Sequence, residues 1–125
     1  GKDIRLFTLC TYNIWSGSAR QCMLDQDLSV DDAGFYTLVV SEQADRPKNL
    51  EAVSATWIDW GPYLDGQLTY RMLYRENDFI SRIAFALNGG YIPAEMQPYV
   101  PVAVACRRAR FEAAGWQGCF KDAGL

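Results

Sequence analysis

The 125-residue chain contains no histidine. A serine or cysteine triad with an imidazole base, a histidine-ligated zinc or iron centre and a histidine pH switch all need a side chain that is missing here. Positive charge is not in excess either. Twelve Lys and Arg stand against fifteen Asp and Glu, a net charge of -3, whereas a face that neutralises phosphates normally makes a domain basic; nucleic acid is not an expected partner. Long apolar runs are also lacking. Near the start the strongest is Leu6–Cys10, much too short for a membrane span or the apolar part of a leader. No internal repeat, low-complexity tract or dividing linker is visible. Half of the residues are hydrophobic, enough at this length to bury one core, so residues 1–125 are expected to form a single domain, whether a processed chain or a piece of a longer polypeptide.

What the chain does have is four cysteines in two locally close pairs, Cys10 with Cys22 and Cys106 with Cys119. Four cysteines permit three complete pairings, and the two local ones are preferred because each pair brackets a segment where the chain turns back. Apolar runs at Leu6–Tyr12 and Arg20–Leu24 flank the turn-like Trp15-Ser16-Gly17-Ser18, which would set the first two cysteines across a hairpin. Neither pair has the short spacing of a zinc knuckle. Four buried free thiols are the competing arrangement. Disulfides place the protein outside the cytoplasm, in an extracellular or periplasmic setting.

Ile4–Tyr12 carries β-branched and aromatic residues on both alternating faces, the pattern of a central strand covered on both sides. Gln21–Val30 leads into Asp31-Asp32-Ala33-Gly34, a turn, and Phe35–Ser41 follows as the clearest strand; together they predict a second hairpin. Glu42–Ser54, with Asp45-Arg46-Pro47-Lys48-Asn49, reads as an exposed crossing loop with one helical turn near Asn49–Val53. Thr56–Trp60 and Gln67–Arg75 are strands separated by Gly61–Gly66. In the latter strand Leu68, Tyr70, Met72 and Tyr74 share one face, and Thr69, Arg71 and Arg75 the wetter one. Asn77-Asp78 caps a helix over about 77–88, with Ile80, Ile83, Ala84 and Leu87 on one side and Gly89-Gly90 as its stop. Pro93, Pro98 and Pro101 predict an irregular, extended tail. Ala105–Ala114 suits a short helix and Val100–Cys106 a further strand, of which the strand is preferred.

The order of Leu9-Cys10-Thr11, Asp32–Ser41, Asp45-Arg46-Pro47, Thr56–Pro62 and Tyr70-Arg71-Met72-Leu73 resembles the C-terminal β-domain of uncharacterised bacterial secreted proteins related to the domain-of-unknown-function families 1214 and 1254. The likeness covers about residues 3 to 80. It implies a mainly β, antiparallel β-sandwich or jelly-roll-like domain, an exported protein and no established catalytic residues. A further N-terminal region usually precedes this part in such proteins.

Three clusters are candidate binding residues. Trp57, Trp60 and Tyr63 near a strand end can stack on sugar rings or on a partner's apolar surface; Trp57 and Trp60 have opposite parity, so a shared platform needs a bend after Asp59, and core or edge packing is the alternative. Asp25, Asp27, Asp31 and Asp32 offer hard oxygen ligands of the kind calcium takes, although the twelve-residue calcium-loop pattern is absent and a solvated acidic edge explains them equally. Arg107, Arg108 and Arg110 can grip a carboxylate or phosphate, or form an ordinary solvated face. For catalysis, carboxylate pairs drawn from Asp59, Asp65 and Glu76 remain. The expectation is a noncatalytic exported β-domain without cofactor, acting as a structural or protein-interaction module, either on the remainder of a longer polypeptide or as a subunit of an extracellular assembly with a protein partner. A carbohydrate-binding module and part of a carboxylate-dependent hydrolase are the alternatives.

Overall fold

Apolar groups on both faces call for a covered strand early in the chain, and the computed structural model, which describes residues 4–74 and 100–125, has one there. β1 (Ile4–Asn13) is the middle strand of a three-stranded sheet between β2 (Ala19–Leu24) and β5 (Gly66–Tyr74). Leu9, Cys10 and Thr11 are all buried, as coverage on both sides demands. The predicted 77–88 helix, Glu76, Pro93 and Pro98 lie outside the described residues. The chain divides into two compact units, one of Gly1–Phe7 with Met72–Ala103 and one of Thr8–Arg71 with Val104–Leu125. In the first, Phe7 is buried while Leu73 and Val102 are exposed. The second contains both disulfides.

β1 and β2 form the expected hairpin. They pair antiparallel with Cys10 opposite Cys22, Cα atoms 4.1 Å apart, and the two are joined as a disulfide. Its turn is set by Asn13: the carbonyl accepts from Gly17 N–H at 2.9 Å, and the side-chain Oδ1 accepts from Trp15 N–H at 2.9 Å and Ser16 N–H at 3.1 Å. Such an Asx turn holds the chain reversal without help from a core. The register then slips. Thr11 faces Gln21 but Tyr12 faces Ala19, so Arg20 is the extra residue of a β-bulge, a device that re-aims a side chain.

The second predicted hairpin is not formed. Phe35 and Tyr36 are outside the strand, and β3 (Thr37–Ser41) pairs parallel with β4 (Ala55–Asp59), Val39 opposite Trp57. A parallel pair needs a connection of about a dozen residues or more, and the 42–54 segment supplies it. It is largely exposed and holds 3-10 turns at Gln43–Asp45 and Glu51–Val53, close to the expected helical turn. The structure is therefore mainly β with two small sheets, order β2-β1-β5 and β3-β4, and a helix near the C-terminal end.

That helix corrects the expected irregular tail. Residues 101–107 have no regular structure, so the preferred Val100–Cys106 strand is absent, but α1 spans Arg108–Asp122. Gly115 interrupts it at φ 63°, ψ -170°, a conformation open essentially to glycine alone. The break folds the helix back on itself. In a straight helix, positions twelve apart lie about 18 Å apart along the axis, yet Arg110 Nε and Nη2 donate to Asp122 at 2.7 and 2.9 Å. Gly118 permits this close return, since a Cβ there would lie 2.5 Å from that of Ala114. The disulfide Cys106–Cys119 fastens the second arm to the segment before the first. Phe111 and Cys119 pack with Leu50 and Ala55, lined by Val39, Val53, Trp57, Val104 and Trp116. α1 thus covers one face of the β3-β4 sheet.

Candidate ligand-binding site

The bulge at Arg20 prepares a polar node at the end of β4. Arg20 Nε donates to Asp59 Oδ2 at 2.8 Å and its Nη2 lies 2.6 Å from the same oxygen. Gly61 N–H donates to Asp59 Oδ1 at 2.9 Å. The backbone of Asp59 is satisfied by side chains of the other sheet, Thr11 Oγ1 donating to its carbonyl at 2.6 Å and its N–H donating to Gln21 Oε1 at 2.7 Å. Polar side chains here take the place of strand pairing at a buried edge, where unpaired backbone groups would be costly. The Gly61 N–H foremost, and Arg20 after it, hold the Asp59 carboxyl below its ordinary 3.8 against the opposing effect of burial.

This node anchors the β4–β5 turn. Gly61 has φ 82°, and a Cβ on it would meet the Tyr63 ring at 2.8 Å. Trp60 Nε1 donates to the Tyr63 carbonyl at 3.0 Å, and its indole lies so close over Gly66 that a Cβ there would sit 2.4 Å from the ring. Both rings are half-buried, each laid on a glycine. At the tip, Leu64 is wholly exposed and Asp65 is exposed. Asp65 Oδ2 accepts from Trp15 Nε1 at 3.4 Å, which brings the β1–β2 turn beside the β4–β5 turn. Trp15 is 84% exposed. An indole in this position has its N–H tied down and its face open to solvent.

The structure distributes the sequence candidates unevenly. Trp60 and Tyr63 share one turn, whereas Trp57 lies against the α1 core, with Nε1 donating to Ser41 Oγ at 2.8 Å and the Arg46 guanidinium 4.8 Å above its ring. Asp25, Asp27 and Asp31 serve turns: Asp25 Oδ1 accepts from Gln26 N–H, Asp27 Oδ2 from Leu24 N–H, and Asp31 Oδ1 from both Ala33 and Phe35 N–H. Asp32 is exposed. Among the described residues no three Asp, Glu or Cys side chains gather as metal ligands. Burial first, and Asp25 second, push the Tyr36 hydroxyl above its ordinary 10.0.

Two of the three arginines are engaged internally, Arg108 with the Ala44 carbonyl at 2.7 Å and Arg110 with Asp122, which lowers the Asp122 carboxyl below its ordinary value. Arg107 is exposed. Asp59 is neutralised by Arg20, and the exposed Asp65 accepts from Trp15 of the β1–β2 turn. A general acid needs a raised pKa, and that of Asp59 is lowered. Trp15 was not singled out by the sequence, where it reads as part of a turn. A tryptophan at a hairpin tip, where glycine, asparagine and serine are usual, is the signal that would have found it.

The sign of the Asp59 shift has a measurable consequence. A folded-state pKa below the unfolded value adds stability that is fully present above the unfolded pKa and lost as pH falls through the folded one. Asp59→Asn should therefore be less stable than the native chain at pH 7, by about 1–3 kcal/mol for the lost charged hydrogen bonds. The gap should narrow below about pH 4, as the unfolded-state carboxyl begins to bind its proton. Urea titrations at pH 7 and pH 3 check this. A gap independent of pH would contradict the assigned role.

Comparison with family models, curated proteins and solved structures finds no match for this chain.

Proposed function

We propose that this chain is a noncatalytic binding module of an exported protein, working through the rim made by the β1–β2 and β4–β5 turns. The observation that carries it is Trp15, which exposes its ring face while its backbone and indole N–H are held in place. Large exposed aromatics on ordered turns suit recognition, because little freedom is left to lose on binding. Two disulfides support an oxidising address, extracellular or periplasmic. No described helix is long and apolar enough to cross a membrane. Within this reading the two sheets are layers of a reduced sandwich; the parallel β3-β4 pair argues against a jelly roll. The likeness to bacterial secreted families 1214 and 1254 belongs to the same proposal and rests on motif order.

An array carrying both glycans and envelope proteins, probed with the native chain and Trp15→Ala, tests the proposal. The expected result is a ligand held by the native chain and lost by the variant, whose melting temperature stays unchanged. Ligands bound equally by both, or hydrolytic turnover by the native chain, would overturn it.

A further inference from the structure

We infer that the ligand class of the rim is a neutral saccharide, stacked on Trp15 and hydrogen-bonded to Asp65; the inference rests on the binding-module proposal above. A pyranose has an apolar C–H face bordered by hydroxyl donors, so it needs an open aromatic face with acceptors at the edge. The Trp15 indole is such a face, 84% exposed. At its N–H edge stands the exposed Asp65 carboxylate, whose Oδ2 already takes the indole N–H at 3.4 Å. A carboxylate has about four acceptor positions, and that bond fills one. The Ser16 and Ser18 hydroxyls lie on the same turn, hydrogen-bonded to each other at 3.0 Å.

Charge narrows the class. The carboxylate beside the indole and the net charge of -3 disfavour phosphorylated or acidic ligands. A protein partner would need roughly 800 Å² on each side with an apolar centre, whereas the large apolar side chains exposed on these two turns are three, Ile14, Trp15 and Leu64. The ring is also preorganised. Asn13 Oδ1 fixes the backbone of Trp15 and Ser16, and the Cys10–Cys22 disulfide closes the hairpin behind them.

The test is isothermal titration of the whole chain with hexamers of β-1,4-glucan, α-1,4-glucan, xylan, mannan and chitin, using native protein, Trp15→Ala, Asp65→Ala and Val30→Ala. At least one hexamer should bind, Trp15→Ala should weaken it about tenfold or more, the effect of losing one stacked ring, and Asp65→Ala should weaken it severalfold. Val30→Ala, an exposed apolar position outside both turns, should leave it unchanged. Thermal melts of each variant separate lost contact from lost fold, and Trp15→Phe, which keeps a stacking face, should recover part of the affinity. If no hexamer binds in a Trp15-dependent way, the saccharide inference is overturned. The binding-module proposal then stands or falls separately on the array: a Trp15-dependent protein ligand, sensitive also to Leu64→Ala, would preserve it, and no Trp15-dependent ligand of any kind would end both.

Discussion

Ile58→Ala should lower the unfolding free energy by about 2–5 kcal/mol, the range for deleting a buried isoleucine side chain and leaving its cavity. Ile58 has no exposed surface at all. It lies in β4 opposite Val40, on the strand face that by alternation excludes Trp57, so it belongs to the side of the sheet turned away from α1. The same side carries Thr56, whose Oγ1 accepts from Ser29 N–H at 2.9 Å. Regular pairing on one flank and this bond beside it leave the backbone little room to collapse into a cavity, which favours the upper half of the range. Ile58→Val should cost only about 0.5–1.5 kcal/mol. Denaturant unfolding of both variants provides the measurement. A loss under about 1 kcal/mol for alanine would mean that this side of β4 is not packed as described.

Removing the Cys106–Cys119 bridge should have an effect of comparable size. Closing a loop of 13 residues restricts the unfolded chain by about 3 kcal/mol in the chain-entropy model. Cys106→Ala with Cys119→Ala is the suitable pair, since Cys119 is buried beside Leu50, Ala55 and Phe111 and a serine hydroxyl would be placed among apolar groups. The loss should be local in character. Residues 101–107 have no regular structure of their own, and the second arm of α1 is held to them by this bond. The Cys10–Cys22 bridge, by contrast, joins strands already paired on either side of it. Hydrogen exchange should therefore quicken first across residues 104–122 in the Cys106/Cys119 variant, and the β1–β2 amides should stay protected. Equal loss of protection throughout the second unit would show that α1 and the sheets unfold together.

Both predictions concern features that differ in how visible they are in the sequence. The β1–β2 hairpin was legible because every determinant is local: alternating apolar residues, a turn between them, and cysteines that come opposite each other once the strands are drawn. Strand positions for β3, β4 and β5 were legible on the same grounds. The partner of β3 was not. Periodicity identifies a strand but carries no information on which neighbour it takes or in what direction, and the 42–54 segment is long enough for a crossover as well as for a loop. The first arm of α1 overlaps the short helix that Ala105–Ala114 suits, but its continuation past Gly115 was hidden by its glycines. Gly115 and Gly118 lower helix propensity and interrupt the apolar period, yet both are required, one for the break and one for the close return of the chain.

The candidate site shows the same division. Tryptophans were recognisable as the chemically informative residues; Tyr63 falls in the expected Gly61–Gly66 turn, while Trp60, read as the end of a strand, lies just beyond β4 and bonds the Tyr63 carbonyl. Trp57 met the α1 core instead because β4 alternation and α1 packing direct it there. Asp59, considered as an acid for catalysis, is bound to Arg20 by a bulge that no residue pattern announces.

The amino-acid sequence alone determined the absence of imidazole chemistry, the acidic balance, the strand-rich character and the preference for local cysteine pairs, since each depends on residue identity or on neighbours within about a dozen positions. Tertiary structure decided the parallel direction of β3 and β4, the fold-back of α1, the enclosure of Asp59, and the meeting of Trp15 with Asp65 across fifty positions of chain. The physical reason is that these contacts follow from how the sheets and the helix bury their apolar faces together, which sets distances between residues that no local interaction connects.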